Sequence, residues 1–108
     1  MSFPSPARDY QERALDLNEK YIPRPHATFF MRAAGDHLAD SGILNGSMLI
    51  VDRSLAPKRQ DVVVAVVSGE FRLCRLEELA HEEETELWGV VAHVITSLRP
   101  LSGGEAVL

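Results

Sequence analysis

Among the residues whose types can carry out chemistry, the chain has a single cysteine, Cys74, and four histidines. One cysteine cannot form an internal disulfide, and no histidine stands at zinc-site spacing from Cys74, so the sequence predicts neither a metal site nor a cofactor. His26 and His81 are isolated, and His93 lies in an apolar stretch, where a hydrogen-bonded strand histidine is the expected role. The run Glu82–Glu84 is typical of a solvated face.

The bulk composition describes one ordinary domain. The chain has 108 residues, 45% of them hydrophobic and 25% charged, which fits a single folded unit rather than a disordered or membrane protein. No apolar run approaches the roughly 20 residues that span a bilayer, and the start MSFPSPARDY lacks the pattern of a signal peptide, so we expect a cytoplasmic protein. The net charge of −5 argues against direct DNA binding, so a role near DNA would pass through a protein partner.

The N-terminal part of the chain predicts an arm followed by a helix. Two prolines within residues 1–9 favour an extended arm. Asp9 and Glu12 stand three residues apart, as in a capping box, and apolar residues follow at helical spacing. We therefore predict a short helix over 9–18, which the proline at position 23 should end.

From residue 26 onward the pattern favours strands, and the predicted fold class is mainly β. Apolar or alternating runs predict strands at 28–31, 48–51, 62–67, 71–76 and 87–94. The β-branched run 62–67 indicates a strand buried on both faces, and the Ser68-Gly69 pair after it indicates a hairpin. The acidic segment 77–86 has no apolar periodicity and is interpreted as a solvated loop or a frayed helical turn.

The predicted sheet has little apolar material for its core. Several strand edges would remain exposed, and a domain of this size is often stabilised by its own copy, so we expect a homodimer. Trp88, at the start of the last strand, is interpreted as a core or dimer-interface residue. The predicted organisation is an extended arm over 1–9, one domain over 10–99 and a flexible tail over 100–108.

Three blocks of the sequence together are similar to one family. They are FPSPARDYQERALDLNEKYI at 3–22, the central block at 27–76 with AGD at 34–36, LIVD at 49–52 and GEF at 69–71, and WGVVAHVI at 88–95. The combination resembles the LexA/UmuD serine peptidase family and, within it, the processed UmuD′-like members. The resemblance implies a small, twisted β fold that works as a homodimer. The chain begins close to where that processed form begins, so we expect no leading segment to be removed.

The resemblance also indicates which positions would carry the family's chemistry. In that family a serine nucleophile follows the Gly-Asp pair, and a neutral lysine on the strand after Gly-Glu-Phe takes its proton. Carried over by position, the serine position is His37 and the lysine position is Cys74. Ser41 stands four residues too late, and Arg75 stays protonated and cannot act as a base. The resemblance therefore implies a degenerate dyad without peptidase activity; the alternative is a Cys74 nucleophile with His37 facing it as the base.

The function implied by the resemblance is that of a non-catalytic subunit. Such a subunit dimerises and binds a UmuC-like Y-family DNA polymerase, and it supports error-prone translesion synthesis in the SOS response to DNA damage. UmuD- or LexA-type proteins and the RecA filament are further candidate partners. Two alternatives stay open: an interfering partner that forms mixed dimers with UmuD or LexA-type proteins, and an active self-cleaving peptidase.

Overall fold

The computed structural model describes residues 16–99, which form one five-stranded antiparallel sheet and one short α-helix. The helix α1 spans Leu17–Tyr21, and the strands are β1 Thr28–Arg32, β2 Met48–Asp52, β3 Val62–Val67, β4 Glu70–Arg75 and β5 Thr85–Ile95. The strand order is β1-β2-β5-β3-β4, so β1 and β4 lie at the edges of the sheet. The mainly β class and the five strand regions are confirmed, whereas the predicted arm (1–9) and tail (100–108) lie outside the described residues.

Strand β3 lies inside the sheet, between β5 and β4, and is buried on both faces as predicted. Val63, Val64 and Ala65 are fully covered although their side chains alternate between the two faces. The link to β4 is formed by Ser68 and Gly69, whose φ angles of 51° and 84° lie in the left-handed region. A two-residue hairpin turn needs this backbone conformation, so the predicted hairpin is confirmed.

The two faces of the sheet bury separate apolar clusters. The larger cluster consists of Ala33, Leu38, Ile43, Leu49, Val51, Val64 and Leu73. The smaller cluster, on the other face, consists of Val63, Cys74 and Val90, with Leu55, Leu76 and Leu79 packed against it. Because side chains alternate along a strand, neighbouring residues of β4 pack in different clusters. Leu73 packs in the larger cluster and Cys74 in the smaller one.

Helix α1 begins at Leu17, near the end of the range in which the sequence predicts a helix. Asp16 is its N-cap, with an extended backbone (φ −90°, ψ 98°), and its carboxylate accepts hydrogen bonds from the backbone N–H groups of Asn18 at 3.0 Å and Glu19 at 3.2 Å. A helix cannot run through an extended residue, so the predicted helix does not continue unbroken through residue 16, and residues 9–15 of that prediction lie outside the described residues. The helix does end ahead of Pro23, as predicted.

The acidic segment 77–86 contains a helical turn and leads into the last strand. A 3-10 turn spans Leu76–Leu79, and β5 begins at Thr85, somewhat before the predicted strand start. Arg72 on β4 forms a 2.8 Å ion pair with Glu82, which ties this exposed segment to the edge of the sheet. The predicted loop or helical turn is confirmed, except that the last two residues of the segment, Thr85 and Glu86, belong to β5.

Candidate functional site

The loop between β1 and β2 carries His37, the residue in the predicted serine position. Two hydrogen bonds close this loop on itself: the Gly35 N–H donates to Asn45 Oδ1 at 2.8 Å, and the Asn45 N–H donates to Asp36 Oδ1 at 2.7 Å. Gly35 adopts a φ of 85°, a conformation that favours glycine. The Gly-Asp pair thereby fixes the direction in which His37 leaves the loop.

The His37 imidazole reaches the edge strand β4. Its Nε2 atom lies 3.0 Å from the backbone oxygen of Leu73. Because a carbonyl oxygen can only accept a hydrogen bond, Nε2 carries the proton and donates it. In the neutral ring the other nitrogen, Nδ1, is then the hydrogen-bond acceptor, and it lies on the side of Gly35. The imidazole thus ties the loop to the edge of the sheet.

Cys74, in the predicted lysine position, is enclosed by apolar side chains. It is 2% exposed and packs in the smaller cluster with Val63 and Val90. Burial raises the pKa of the thiol, and Glu78 raises it further against an opposing effect of Arg72. Little of the thiol is therefore thiolate at neutral pH. Among the described residues, the thiol has no hydrogen-bond partner.

The fold brings the two predicted positions next to each other but does not pair their side chains. His37 bonds to the carbonyl group of the residue that precedes Cys74, whereas the thiol belongs to the smaller cluster. A nucleophile and its base normally lie within hydrogen-bond reach of each other. Within residues 16–99, no hydrogen bond joins the imidazole and the thiol.

Arg75 and Ser41, the two other residues considered for the predicted dyad, contact each other. The Arg75 guanidinium donates to Ser41 Oγ and forms an ion pair with Asp40 at 3.0 Å. It also lies 4.0 Å from a carboxylate oxygen of Glu78. Arg75 therefore holds the 3-10 turn Ala39–Ser41 against the end of β4, as a second contact between the loop and this strand.

An ion pair between the half-exposed Arg24 and a buried carboxylate, which the sequence did not predict, anchors the segment after α1. Asp52, at the end of β2, is buried, and its Oδ2 accepts from Arg24 Nε at 2.9 Å and from Arg24 Nη2 at 2.8 Å. Its Oδ1 accepts from the backbone N–H and the hydroxyl group of Ser54. Burial by itself would raise the pKa of Asp52, but the hydrogen bonds from Ser54 and Arg24 outweigh it and lower the pKa.

Residues 16–99 contain neither a cluster of metal ligands nor a membrane-spanning helix. This part of the chain has no group of three or more His, Cys, Asp or Glu side chains arranged to hold a metal ion. Nor does it contain a helix long and apolar enough to cross a membrane.

Comparison with known proteins identifies the family. The family model described as Peptidase S24-like matches residues 1–88. Protein ImpA of Escherichia coli is 42% identical over 115 residues, covering 92% of this chain and 79% of ImpA. Protein SamA of Salmonella typhimurium (strain LT2) is 39% identical, covering 90% of this chain and 79% of SamA. Protein MucA of Escherichia coli is 35% identical, covering 84% of this chain and 75% of MucA. The expected resemblance to the LexA/UmuD serine peptidases is confirmed, and the chain belongs to the Peptidase S24-like family.

Proposed function

We propose that this chain is a non-catalytic, UmuD′-like subunit that dimerises and binds a UmuC-like Y-family DNA polymerase, and so supports error-prone translesion synthesis in the SOS response. The observation that carries the proposal is the state of the two dyad positions. His37 is bonded to the backbone of β4, and Cys74 is buried among valines. Membership of the family and similarity to ImpA, SamA and MucA support the role in SOS mutagenesis.

The chemistry of the site argues against the family's reaction. A histidine in the serine position removes the hydroxyl nucleophile, and Cys74 offers no amine that could take its proton. Arg75 stays protonated and is engaged by Ser41 and Asp40. A Cys74 nucleophile would need a thiolate, which burial disfavours, and a base within hydrogen-bond reach, whereas the His37 Nε2 proton is donated to the Leu73 carbonyl group.

An aromatic platform, formed by Phe29, Phe71 and Trp88, supports dimerisation. The Trp88 ring centroid lies 5.2 Å from that of Phe29 and 5.6 Å from that of Phe71, and the two phenylalanines are 40% and 52% exposed. The Arg53 guanidinium lies 4.5 Å from the Trp88 ring centroid and donates to the Trp88 carbonyl group at 2.8 Å. Aromatic and arginine side chains are enriched in protein interfaces, so we assign the homodimer to the aromatic platform.

Co-purification tests the polymerase assignment. The chain is expressed together with a tagged UmuC-like polymerase, and a UmuD′ protein that binds the same polymerase serves as the positive control. We expect the chain to elute with the polymerase as a dimer. Failure of the dimer to bind, under conditions in which the control binds, would refute the assignment.

A pair of phenylalanine substitutions tests the dimer surface. Phe71→Asp places a charge on the aromatic platform and should convert the dimer to a monomer, as measured by mass in solution. Phe30→Asp is the matched control, because Phe30 is similarly exposed but follows Phe29 directly and so faces the other side of β1. A dimer that survives Phe71→Asp, or that is lost only with Phe30→Asp, would exclude the platform as the interface.

Mixtures with full-length relatives distinguish the proposal from the interfering alternative. The chain is mixed with a UmuD- or LexA-type protein, and the subunit composition is measured by native mass spectrometry. We expect homodimers of this chain. Mixed dimers, together with no binding to the polymerase, would favour the interfering role.

A cleavage assay distinguishes the proposal from an active peptidase. The purified chain is incubated with full-length UmuD-type and LexA-type substrates, and fragments are followed by mass. We expect none. Cleavage that disappears in Cys74→Ala would overturn the non-catalytic assignment.

A further inference from the structure

Strand β5 changes its partner along its length, and part of its backbone has a neighbouring strand on one side only. It pairs with β3 as far as Val90 and with β2 from Val90 to Ile95. The chain ahead of β3 turns towards the end of β4, where the Asp61 carbonyl group accepts from the Leu76 N–H at 2.9 Å. In the described part of the chain, no strand therefore pairs with the β3 side of residues 91–95, which we call the open β5 edge. An unpaired strand edge is a template for another strand.

A hollow lies on each face of the sheet beside the open β5 edge. The first hollow has a volume of about 380 Å³, and its wall includes Leu55 and Val90 of the smaller apolar cluster. The second hollow has a volume of about 460 Å³, and its wall includes Ile43 of the larger cluster. Residues 91–93 line both hollows. Because successive side chains of a strand point to opposite faces, a strand that pairs with this edge places its side chains alternately in the two hollows.

The first hollow is cationic, although the whole chain has a net charge of −5. Lys20, Arg24 and Lys58 line it. Its two carboxylates already have partners: Asp52 pairs with Arg24 at 2.8 Å, and Asp61 accepts from the Lys58 backbone N–H at 2.8 Å. Among the described residues, no carboxylate forms an ion pair with the ammonium group of either lysine. These two ammonium groups favour an acidic side chain in the first hollow.

The second hollow suits an aliphatic side chain. Ile43, Val62 and Val94 supply apolar surface there. Asp61 also lines this hollow, and no lysine or arginine of the described residues does. A carboxylate would therefore be repelled in the second hollow, whereas it is attracted in the first.

We propose that the open β5 edge binds an extended peptide of a partner protein, in which acidic and aliphatic side chains alternate. The peptide backbone pairs with residues 91–95 in the line of β3. Its acidic side chains point to Lys20 and Lys58, and its aliphatic side chains enter the second hollow. Five residues of such a strand span about 17 Å, which matches the five residues of the edge.

This surface is separate from the aromatic platform, because none of Phe29, Phe71 and Trp88 lines either hollow. The peptide site therefore does not depend on the proposed role with a polymerase. The dimer should form without the peptide, and the platform variant Phe71→Asp should still bind it.

Titration of the full chain with short peptides tests the site. The probe is acetyl-Val-Glu-Val-Glu-Val-amide with a fluorescent label, and binding is followed by anisotropy. We expect it to bind more tightly than the same peptide with lysine in place of glutamate, and its fully N-methylated form, which cannot donate backbone hydrogen bonds, should not bind. Hydrogen exchange measured by NMR should slow at the β3-side amides of residues 91–95 when the peptide is added.

A pair of charge reversals on neighbouring residues tests the first hollow. Lys58→Glu should weaken binding of the acidic peptide about fivefold, because it replaces an attractive charge with a repulsive one. Arg59→Glu is the matched control: it makes the same change in charge, but Arg59 lines neither hollow and lies 3.5 Å from Glu77. Equal effects of the two variants would overturn the assignment of the acidic side chains.

Three results would overturn the proposal as a whole. The first is that the acidic peptide does not bind, or binds no better than the lysine peptide. The second is protection of β4, the strand at the edge of the sheet, instead of residues 91–95. The third is slow exchange of the β3-side amides before any peptide is added, because the chain itself or a second copy then already occupies the edge.

Discussion

A methyl group added at Gly89, on β5, should destabilise the fold by an amount that can be worked out from its neighbours. A Cβ at this position would stand 2.6 Å from Val51 Cγ1 and 3.3 Å from Arg53 Cγ. Carbon atoms pack at about 3.5–4.0 Å, so Val51, which is fully buried, would have to move. Overpacking of this kind costs about 1–3 kcal/mol, and the lower entropy of the unfolded chain offsets about 0.4–1 kcal/mol. We expect Gly89→Ala to lower the free energy of unfolding by about 1–2 kcal/mol.

A double-mutant cycle with Val51→Ala tests whether the clash is the cause. Val51→Ala should by itself cost about 2–3 kcal/mol, from lost burial and the cavity that it leaves. In the double variant the added methyl group enters that cavity, so the combined loss should fall short of the sum by about 1 kcal/mol or more. Urea denaturation followed by far-UV circular dichroism and by the fluorescence of Trp88, the single tryptophan, measures all four proteins. Effects that add within about 0.5 kcal/mol would refute the reasoning.

Three further perturbations test the remaining contacts of the site. Since the pKa of Asp52 is lowered from its ordinary value of 3.8, its ionised form stabilises the fold above that pH, and this contribution is lost as the pH falls through the lowered pKa. Lowering the pH should therefore reduce the difference in free energy of unfolding between the wild type and Asp52→Asn. If the free energies of unfolding of the two proteins fell in parallel as the pH decreased, this expectation would be contradicted. Burial raises the pKa of Cys74 above its ordinary value of 9.0. The contribution of the neutral thiol to the free energy of unfolding is therefore fully present below pH 9.0 and is lost as the pH rises through the raised pKa. A thiol reagent at mildly alkaline pH should modify Cys74 only as fast as the protein opens, so rapid modification of the native protein would exclude this environment. Finally, His37→Ala removes the donor to the Leu73 carbonyl group and should cost about 1 kcal/mol of stability. Hydrogen exchange should quicken in the loop 35–46, and unchanged exchange there would show that the contact does not hold the loop.

The strands could be predicted because their signals are local, whereas the helix start could not. The β-branched run 62–67 and the turn residues Ser68 and Gly69 act within a few residues of each other, so the hairpin follows without knowledge of its neighbours. Asp16 and Glu19 have the same capping-box spacing as Asp9 and Glu12, so the spacing alone does not select Asp16 as a cap. Asp16 caps α1 because its backbone is extended there, a property that the sequence pattern does not express.

The motifs that flank His37 and Cys74 predict them as the candidate site, but the contacts of these two residues could not be predicted from the sequence. The hydrogen bond between His37 and Leu73 joins residues 36 apart in the chain, and the Arg24–Asp52 pair joins residues 28 apart. Neither periodicity nor intrinsic propensity specifies which of many distant pairs will meet. The meeting of these residues depends on how the loops close around the finished sheet. The enclosure of Cys74 has the same origin, because Val90 reaches it from another strand.

The contact of His37 gives its position a structural role that a serine could not fill. A serine hydroxyl group ends one bond beyond Cβ, whereas Nε2 lies at the far side of the ring and reaches the Leu73 carbonyl group. The hydrogen bond from His37 and the Arg75–Ser41 contact together hold the loop against β4. This is the place where the family's reaction needs a free nucleophile and base. Stability and peptidase activity therefore make opposing demands on this position. The double variant His37→Ser with Cys74→Lys, which places a serine and a lysine at the two proposed dyad positions, should unfold at a lower urea concentration than the wild type even if it cleaves a UmuD-type substrate. It loses the loop contact and buries an amine in an apolar cluster. A double variant as stable as the wild type would show that neither the loop contact nor the apolar enclosure of Cys74 contributes to the fold.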